Sequence, residues 1–278
     1  MACVEAEVSR MAACDEHVPI VDASELSPSQ FLERYVKPNL PVLITGLTDG
    51  WRARREWVVH GSGAPDVGGA MAEHFGDAEV LVVDCDAPLD TDLARVQMPF
   101  REFARFWTSR RGRKSDEGGG GGGNNNNDDD DDEDKNADDD GRRLYLKDWT
   151  FTCDFPGYGA YTTPPHFADD WLNAYWDEQM TSREKKNTHR GGGTHRFVYV
   201  GLKGTWTPLH ADVLRSFSWS VNVAGSKRWL MVPPQRSRHL LSRDGTRRPK
   251  DLRQAMRADP VWRARTRPRS QRVLLRIL

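Results

Sequence analysis

Residues 205–229 read TWTPLHADVLRSFSWSVNVAGSKRW. His210 and Asp212 lie two apart, and on a strand such side chains share a face. An imidazole and a carboxylate aimed into one cavity supply two of the three ligands of a 2-His-1-carboxylate site, which leaves open positions on Fe(II). The His-x-Asp pattern alone is common by chance, so its surroundings carry the weight. Thr207 stands three before His210. SFSWSVNVAG (216–225) and KRWLMVPP (227–234) read as strands joined at Gly225. Lys227 follows 17 after His210 and could pair with the distal carboxylate of a dicarboxylate cosubstrate. Each residue also has a plainer reading. His210 could be a satisfied core histidine and Asp212 a turn cap. Lys227 could be a strand-end lysine, Thr207 a β-former beside Pro208, and Ser220 and Asn222 ordinary strand polars.

Outward from this stretch, HRFVYVGL (195–202), RRLYLKDW (142–149), EVLVVDC (79–85) and PVLITGL (41–47) read as strands. Ser27 and Pro28 open a short helix over 27–36 with Phe31, Leu32 and Tyr35 on one face. DVGGAMAEHFG (66–76) is a weak helix interrupted by glycines. MPFREFARFWTSRR (98–111) and FADDWLNAYWDEQ (167–179) are amphipathic helices, with Trp171, Tyr175 and Trp176 assigned to packing. His166, His189 and His195 are expected at the surface. SREKKNTHRGGG (182–193) is a polar loop.

Two segments differ in composition. Residues 116–140 hold 12 acidic side chains and one basic, amid runs of glycine and asparagine. Such a segment cannot bury enough apolar surface to offset its ordering entropy, so 112–141 is expected to be a disordered acidic insertion. Residues 243–278 hold 12 basic and three acidic side chains without strand alternation, so 242–278 is expected to be an irregular basic tail. The division expected is a loose tail (1–18), an N-terminal part (19–111), the insertion, a β-rich part (142–241) and the basic tail.

The 278 residues balance 40 Lys+Arg against 41 Asp+Glu, and 37% are hydrophobic. Neither a membrane protein nor a wholly disordered chain has that composition. No basic-then-apolar leader opens the sequence. The four cysteines (Cys3, Cys14, Cys85, Cys153) are scattered without a CxxC, which suits inert thiols in a reducing compartment.

The stretches PVLITGL, MPFREFARFW, LYLKDW, YTTPPHFADDWLNAYWD, RFVYVG and TWTPLHADVLRSFSWSVNVAGSKRWLMVPP together resemble the JmjC-domain 2-oxoglutarate oxygenases, in the branch of lysyl hydroxylases acting on the translation-termination release factor. The resemblance implies a mainly β, α+β fold: a partial double-stranded β-helix (cupin-like jelly roll) with an N-terminal helical elaboration. It implies Fe(II) and 2-oxoglutarate as cofactors, with His210 and Asp212 as iron ligands. It implies that Lys227 and Thr207 hold the cosubstrate, that Ser220 and Asn222 lie near it, and that Tyr199 and Trp219 line the pocket. The implied partner is a protein substrate; the lack of a long apolar run speaks against a membrane, the core shows no nucleic-acid-binding pattern, and the lack of a leader makes the cytoplasm the expected location, with the nucleus open. Demethylation of an N-methyl lysine would use the same oxidant.

One departure stands out. The family's third iron ligand is a histidine on a late barrel strand, and the last histidine here is His239, in a segment that reads as a surface helix. A jelly roll needs about eight strands, and only three or four of its core strands are written here. The expectation is therefore a truncated form retaining the first half of the site. Two further readings stay open: a catalytically inactive isoform or interaction fragment, and a nucleic-acid-binding basic tail.

Overall fold

The computed structural model describes residues 18–87, 95–112, 142–179, 194–234, 251–252 and 269–273. The acidic insertion beyond Gly112, the 182–193 loop, His189, His239, Cys3 and Cys14 lie outside the described residues. In chain order the strands are β1 (Ile20–Asp22), β2 (Leu43–Thr45), β3 (Glu79–Asp84), β4 (Arg95–Pro99), β5 (Leu144–Trp149), β6 (Val198–Gly201), β7 (Lys227–Met231) and β8 (Arg269–Val273). The helices are α1 (Pro28–Phe31), α2 (Arg52–Glu56), α3 (Ala72–Phe75), α4 (Phe100–Gly112), α5 (Phe151–Asp154) and α6 (Trp171–Gln179). No helix among the described residues is long and apolar enough to cross a membrane.

The chain divides into two compact units. One comprises the residues up to Pro65, Tyr161–Asp169 and Pro208 onward; the other comprises Asp66–Ala160 and Asp170–Thr207.

In the first unit, β1 and β2 pair in parallel, Ile20 opposite Leu43. Ser27 and Gln30 form a reciprocal capping box at α1, satisfying two amides that would otherwise lack partners. Leu32–Val36 continues as a wider helical turn. Phe31 meets Phe167 edge to face at 5.5 Å. His166, expected at the surface, instead donates through Nε2 to the Leu26 carbonyl. β7 pairs antiparallel with β8, Lys227 opposite Val273. Arg269–Val273, expected to be irregular, is thus a strand: SQRV is compatible with extended backbone once β7 offers a ladder.

The second unit is built on an antiparallel sheet of order β4-β3-β5-β6. Val80, Val82, Leu144 and Leu146 line one buried face. Helix α4 lies against β3 and β4 there, with Phe100 and Phe103 fully buried. Phe100 stacks on Trp149 at 5.0 Å. Trp149 reaches that face through a bulge, because the β5–β6 register shifts between Leu146 and Trp149 and Asp148 takes φ +56°. The extra residue lets Leu146 and Trp149, three apart, both point at the helices. The weak 66–76 helix forms in two pieces, Val67–Met71 and α3, kinked at Gly69.

Helix α6 begins at Trp171 rather than at Phe167, where a short turn over Pro165–Phe167 intervenes. Asp170 accepts the Asn173 amide through Oδ1 at 3.0 Å and the Asn173 side chain through Oδ2 at 2.8 Å. The buried Asn173 Oδ1 accepts the His195 amide at 2.8 Å, so one side chain ties the helix to the approach to β6. Trp171 is 77% and Tyr175 55% exposed, which corrects their assignment to packing. A nine-residue helix has room to bury one stripe, and here Asn173 occupies it. His195 is half-buried rather than on the surface.

Candidate metal and anion site

His210 and Asp212 belong to the first unit and are not on a strand. They sit in a turn that runs into a tight turn at Val213–Arg215, where Leu214 and Arg215 take φ +55° and +52°. Two consecutive left-handed residues cannot continue an extended chain. The two side chains nevertheless meet, with His210 Nε2 at 3.4 Å from Asp212 Oδ1. The turn, not strand alternation, brings them together. His210 Nδ1 donates to the Pro208 carbonyl at 2.7 Å. Because a carbonyl only accepts, Nδ1 carries the proton, and neutral imidazole then presents its lone pair at Nε2, on the Asp212 side. That arrangement fixes the metal-binding tautomer.

SFSWSVNVAG (216–225) is likewise not a strand in the structure. No described segment offers it a ladder, and Ser220 is exposed. Asn222 is a turn brace: its Nδ2 donates to the Gly225 carbonyl at 2.7 Å. Trp219 packs flat on Phe167, centroids 5.0 Å apart and 7° from parallel, with Trp51 and Tyr161 at its edges. The Lys227 ammonium lies 4.5 Å from the Trp229 ring centroid, over its same-face neighbour on β7.

Thr207 and Tyr199 belong to the second unit. Its sheet turns its other face away from the helices, and Leu81, Val83, Tyr145, Lys147 and Tyr199 lie along it. The sequence reading passed over Tyr145. Burial is the main reason its pKa is pushed up to about 12, a rise the Thr207 side chain opposes, so the phenol stays neutral at ordinary pH. The missed signal was the alternation in LYLKDW, which puts Tyr145 and Lys147 on one face. Tyr199 donates to Asp148 Oδ1 at 2.8 Å, so the bulge residue also positions the Tyr199 phenol. Gly201 faces Tyr145 across the β5–β6 ladder. A Cβ there would lie 2.7 Å from the Tyr145 ring and 2.2 Å from Thr205 Oγ1. Trp206 Nε1 donates to the Cys85 carbonyl at 3.3 Å, and the Cys85 thiol donates to the Trp206 carbonyl at 3.7 Å, holding the Thr207 segment at the end of β3. Cys85 and Cys153 are both free thiols, and burial raises the pKa of each, a shift with no sign in the sequence.

Residues 28–272 match the cupin-like domain family. The chain belongs to that family. It is 41% identical over 225 residues to arginine-specific demethylase JMJ20 of Arabidopsis thaliana, covering 80% of this chain and 42% of that protein. It is 37% identical over 228 residues to the 2-oxoglutarate and iron-dependent oxygenase JMJD4 of Gallus gallus (81% and 45% covered). Human JMJD4 is 32% identical over 229 residues (81% and 46% covered). The cupin-like chain therefore spans less than half the length of these relatives.

Fe(II) and 2-oxoglutarate, the family's cofactor pair, can be tested against the residues present. Two adjacent ligands about 2.1 Å from one ion at a right angle stand about 3.0 Å apart, somewhat closer than the 3.4 Å between His210 Nε2 and Asp212 Oδ1. With the tautomer set by Pro208, the pair fits iron as two of its ligands. Among the described residues no group of three or more His, Cys, Asp or Glu side chains converges to complete such a site.

Proposed function

We propose that the chain carries the metal- and cosubstrate-binding part of an Fe(II)- and 2-oxoglutarate-dependent protein hydroxylase acting in the cytoplasm, with a lysyl side chain of a translation release factor as its substrate. The observation that carries the reading is the His210–Asp212 pair, with His210 Nδ1–H held by Pro208 so that Nε2 and Oδ1 offer lone pairs to one ion. Bound iron, with 2-oxoglutarate and oxygen, supplies the oxidant: R–H, 2-oxoglutarate and O2 become R–OH, succinate and CO2. The chain's own work is to orient. His210 and Asp212 hold the ion. In the first unit the Lys227 ammonium, and by itself in the second the Thr207 hydroxyl, are donors suited to a carboxylate. Trp219, packed among Phe167, Trp51 and Tyr161, keeps the chain between Asp212 and Lys227 in place.

The test is succinate release by the full chain with Fe(II), 2-oxoglutarate, oxygen and a release-factor peptide, against His210→Ala. Turnover lost in the variant, with a 16 Da gain on a peptide lysine, is the expected result. Equal succinate from both proteins would refute the reading. Metal binding is measured separately by Mn(II) titration. Two protein ligands predict weak binding that His210→Ala or Asp212→Ala weakens further.

A second reading rests on the likeness to an arginine-specific demethylase. The same oxidant acting at an N-methyl group gives an unstable hydroxymethyl amine that releases formaldehyde. Formaldehyde from a methyl-arginine peptide, without a 16 Da product on lysine, would favour it. A non-catalytic role, suggested by the two-donor set, predicts cofactor binding with no succinate above the control.

A further inference from the structure

Helix α6 turns aromatic rings to solvent. Trp171, Ala174, Tyr175 and Glu178 recur at i, i+3, i+4 and i+7, so they share one side of the helix, and all four are exposed. The opposite side carries the anchorage, where buried Asn173 binds the Asp170 carboxylate and the His195 amide. Trp171 at 77% and Tyr175 at 55% exposure together leave about 250 Å² of surface in water. Both residues are also poorer helix formers than the Ala, Glu or Lys that suit a solvated position. The rings do not end there. Tyr175 meets Trp176 edge to face at 5.5 Å, Trp176 lies 6.4 Å from His195, and His195 lies 6.3 Å from the part-exposed Phe197. One exposed ring is ordinary on a protein surface, whereas a run of them on one element marks a contact surface.

The charge on the helix says what it would contact. α6 and the Asp170 before it hold three carboxylates and no cation. Asp170 is engaged with Asn173, and Asp177 pairs with Arg196 at 3.0 Å. Glu178 makes no ion pair among the described residues, and it lies on the Trp171–Tyr175 side. By helical rise, Tyr175 stands about 6 Å and Glu178 about 10 Å along the axis from Trp171. Two ring faces followed by a carboxylate recognise a cation. A guanidinium stacks on an indole or phenol and keeps its N–H groups free for the carboxylate. An acidic segment would meet like charge here, and an apolar one would desolvate Glu178 without a partner. In an extended peptide, side chains two residues apart are about 6.6 Å apart, which matches the Trp171–Tyr175 step.

We infer that the exposed side of α6 is a docking surface for an arginine-bearing segment of a protein partner, with guanidinium groups stacked on Trp171 and Tyr175 and one of them paired with Glu178. The inference is independent of the oxygenase reading, since it uses no residue assigned to iron or cosubstrate.

The experiment is fluorescence anisotropy of the full chain with a labelled peptide in which arginine alternates with glycine, at physiological salt. Peptides with lysine, leucine or glutamate in place of arginine are run beside it. The proteins are the parent, Trp171→Ala, Trp171→Phe, Tyr175→Ala and Glu178→Gln, each with a thermal melt and sedimentation velocity. The parent should bind the arginine peptide, the lysine peptide more weakly and the glutamate peptide not at all. Trp171→Ala and Tyr175→Ala should each weaken the arginine peptide about tenfold, Trp171→Phe less, and Glu178→Gln about threefold. All four variants should melt within about 2 °C of the parent, because the side chains are exposed. Equal affinity in parent and variants would place the peptide on charge elsewhere, such as the acidic run 116–140, and overturn the inference. Leucine peptide bound as tightly as arginine would also overturn it, as would no binding to the parent. A parent dimer lost in Trp171→Ala would assign the surface to a second copy instead. A lower melting temperature for Trp171→Ala, with Tyr175→Ala and Glu178→Gln unchanged in affinity, would mark the indole as structural and overturn the inference.

Discussion

Replacing Asn173 by Ala isolates how the DWLNAYWD segment is held. The substitution removes the 2.8 Å bond to the Asp170 carboxylate and leaves the His195 amide, held at 2.8 Å by Asn173 Oδ1, without its acceptor. It also removes a long 3.5 Å contact from Thr194 Oγ1. A hydrogen bond to a charged group contributes about 1.5 kcal/mol and an unsatisfied buried amide costs about 2 kcal/mol. Alanine returns about 0.5 kcal/mol through its higher helix propensity. The net loss is about 3 kcal/mol, which lowers the melting temperature by about 6–12 °C at this size. Circular dichroism melts and urea midpoints measure it. Asn173→Asp sharpens the test. It keeps the acceptor for His195 but sets a second carboxylate against that of Asp170, so it should lose at least as much as alanine at pH 7. It should recover part of the loss on acidification, when the pair can share a proton. A shift below about 2 °C for Asn173→Ala would refute the claim that this side chain joins helix α6 to the approach to β6.

Asp148→Val places a β-branched residue at φ +56° and should cost about 2 kcal/mol. Asp148→Gly should stay within about 0.5 kcal/mol of the parent, because relief of the left-handed backbone offsets the lost Tyr199 bond; equal losses in the two variants, by urea unfolding, would show that the bulge does not govern this position. Tyr145 supplies a pH signature. Its native pKa of about 12 lies above the unfolded value of about 10, so its contribution is fully present below about pH 10 and lost as the pH rises through about 12. The urea midpoint should therefore fall more between pH 9 and pH 11.5 in the parent than in Tyr145→Phe, and equal falls would exclude a buried neutral phenol.

The framework of the second unit was legible because its signals are local and redundant. EVLVVDC has the composition and bounds of a strand, and Phe100, Phe103 and Trp107 recur at helical spacing; both form where expected. β1, β4 and β8, three to five residues each, went unread because so short a run has no measurable period and exists through its partner. SFSWSVNVAG failed for the converse reason: its alternation suits a strand, but no described segment pairs with it. The His210–Asp212 proximity was anticipated for the wrong reason, as strand alternation rather than a turn closed by left-handed residues. Tyr145 was missed because an apolar run containing a tyrosine does not reveal which neighbour its hydroxyl meets.

The two sets of donors rest on backbones of different mechanical character. Tyr145 and Lys147 lie on a strand laddered on both sides, with Leu146 between them fully buried under the helical layer. Amides there exchange with solvent only when the unit as a whole opens, so those donors keep their geometry as long as the protein stays folded. His210 and Asp212 hang on an exposed turn whose amides can exchange through small local openings. The strand-borne donors of the second unit are thus a fixed template, while the His210–Asp212 turn of the first unit can change its bite at little cost in global stability.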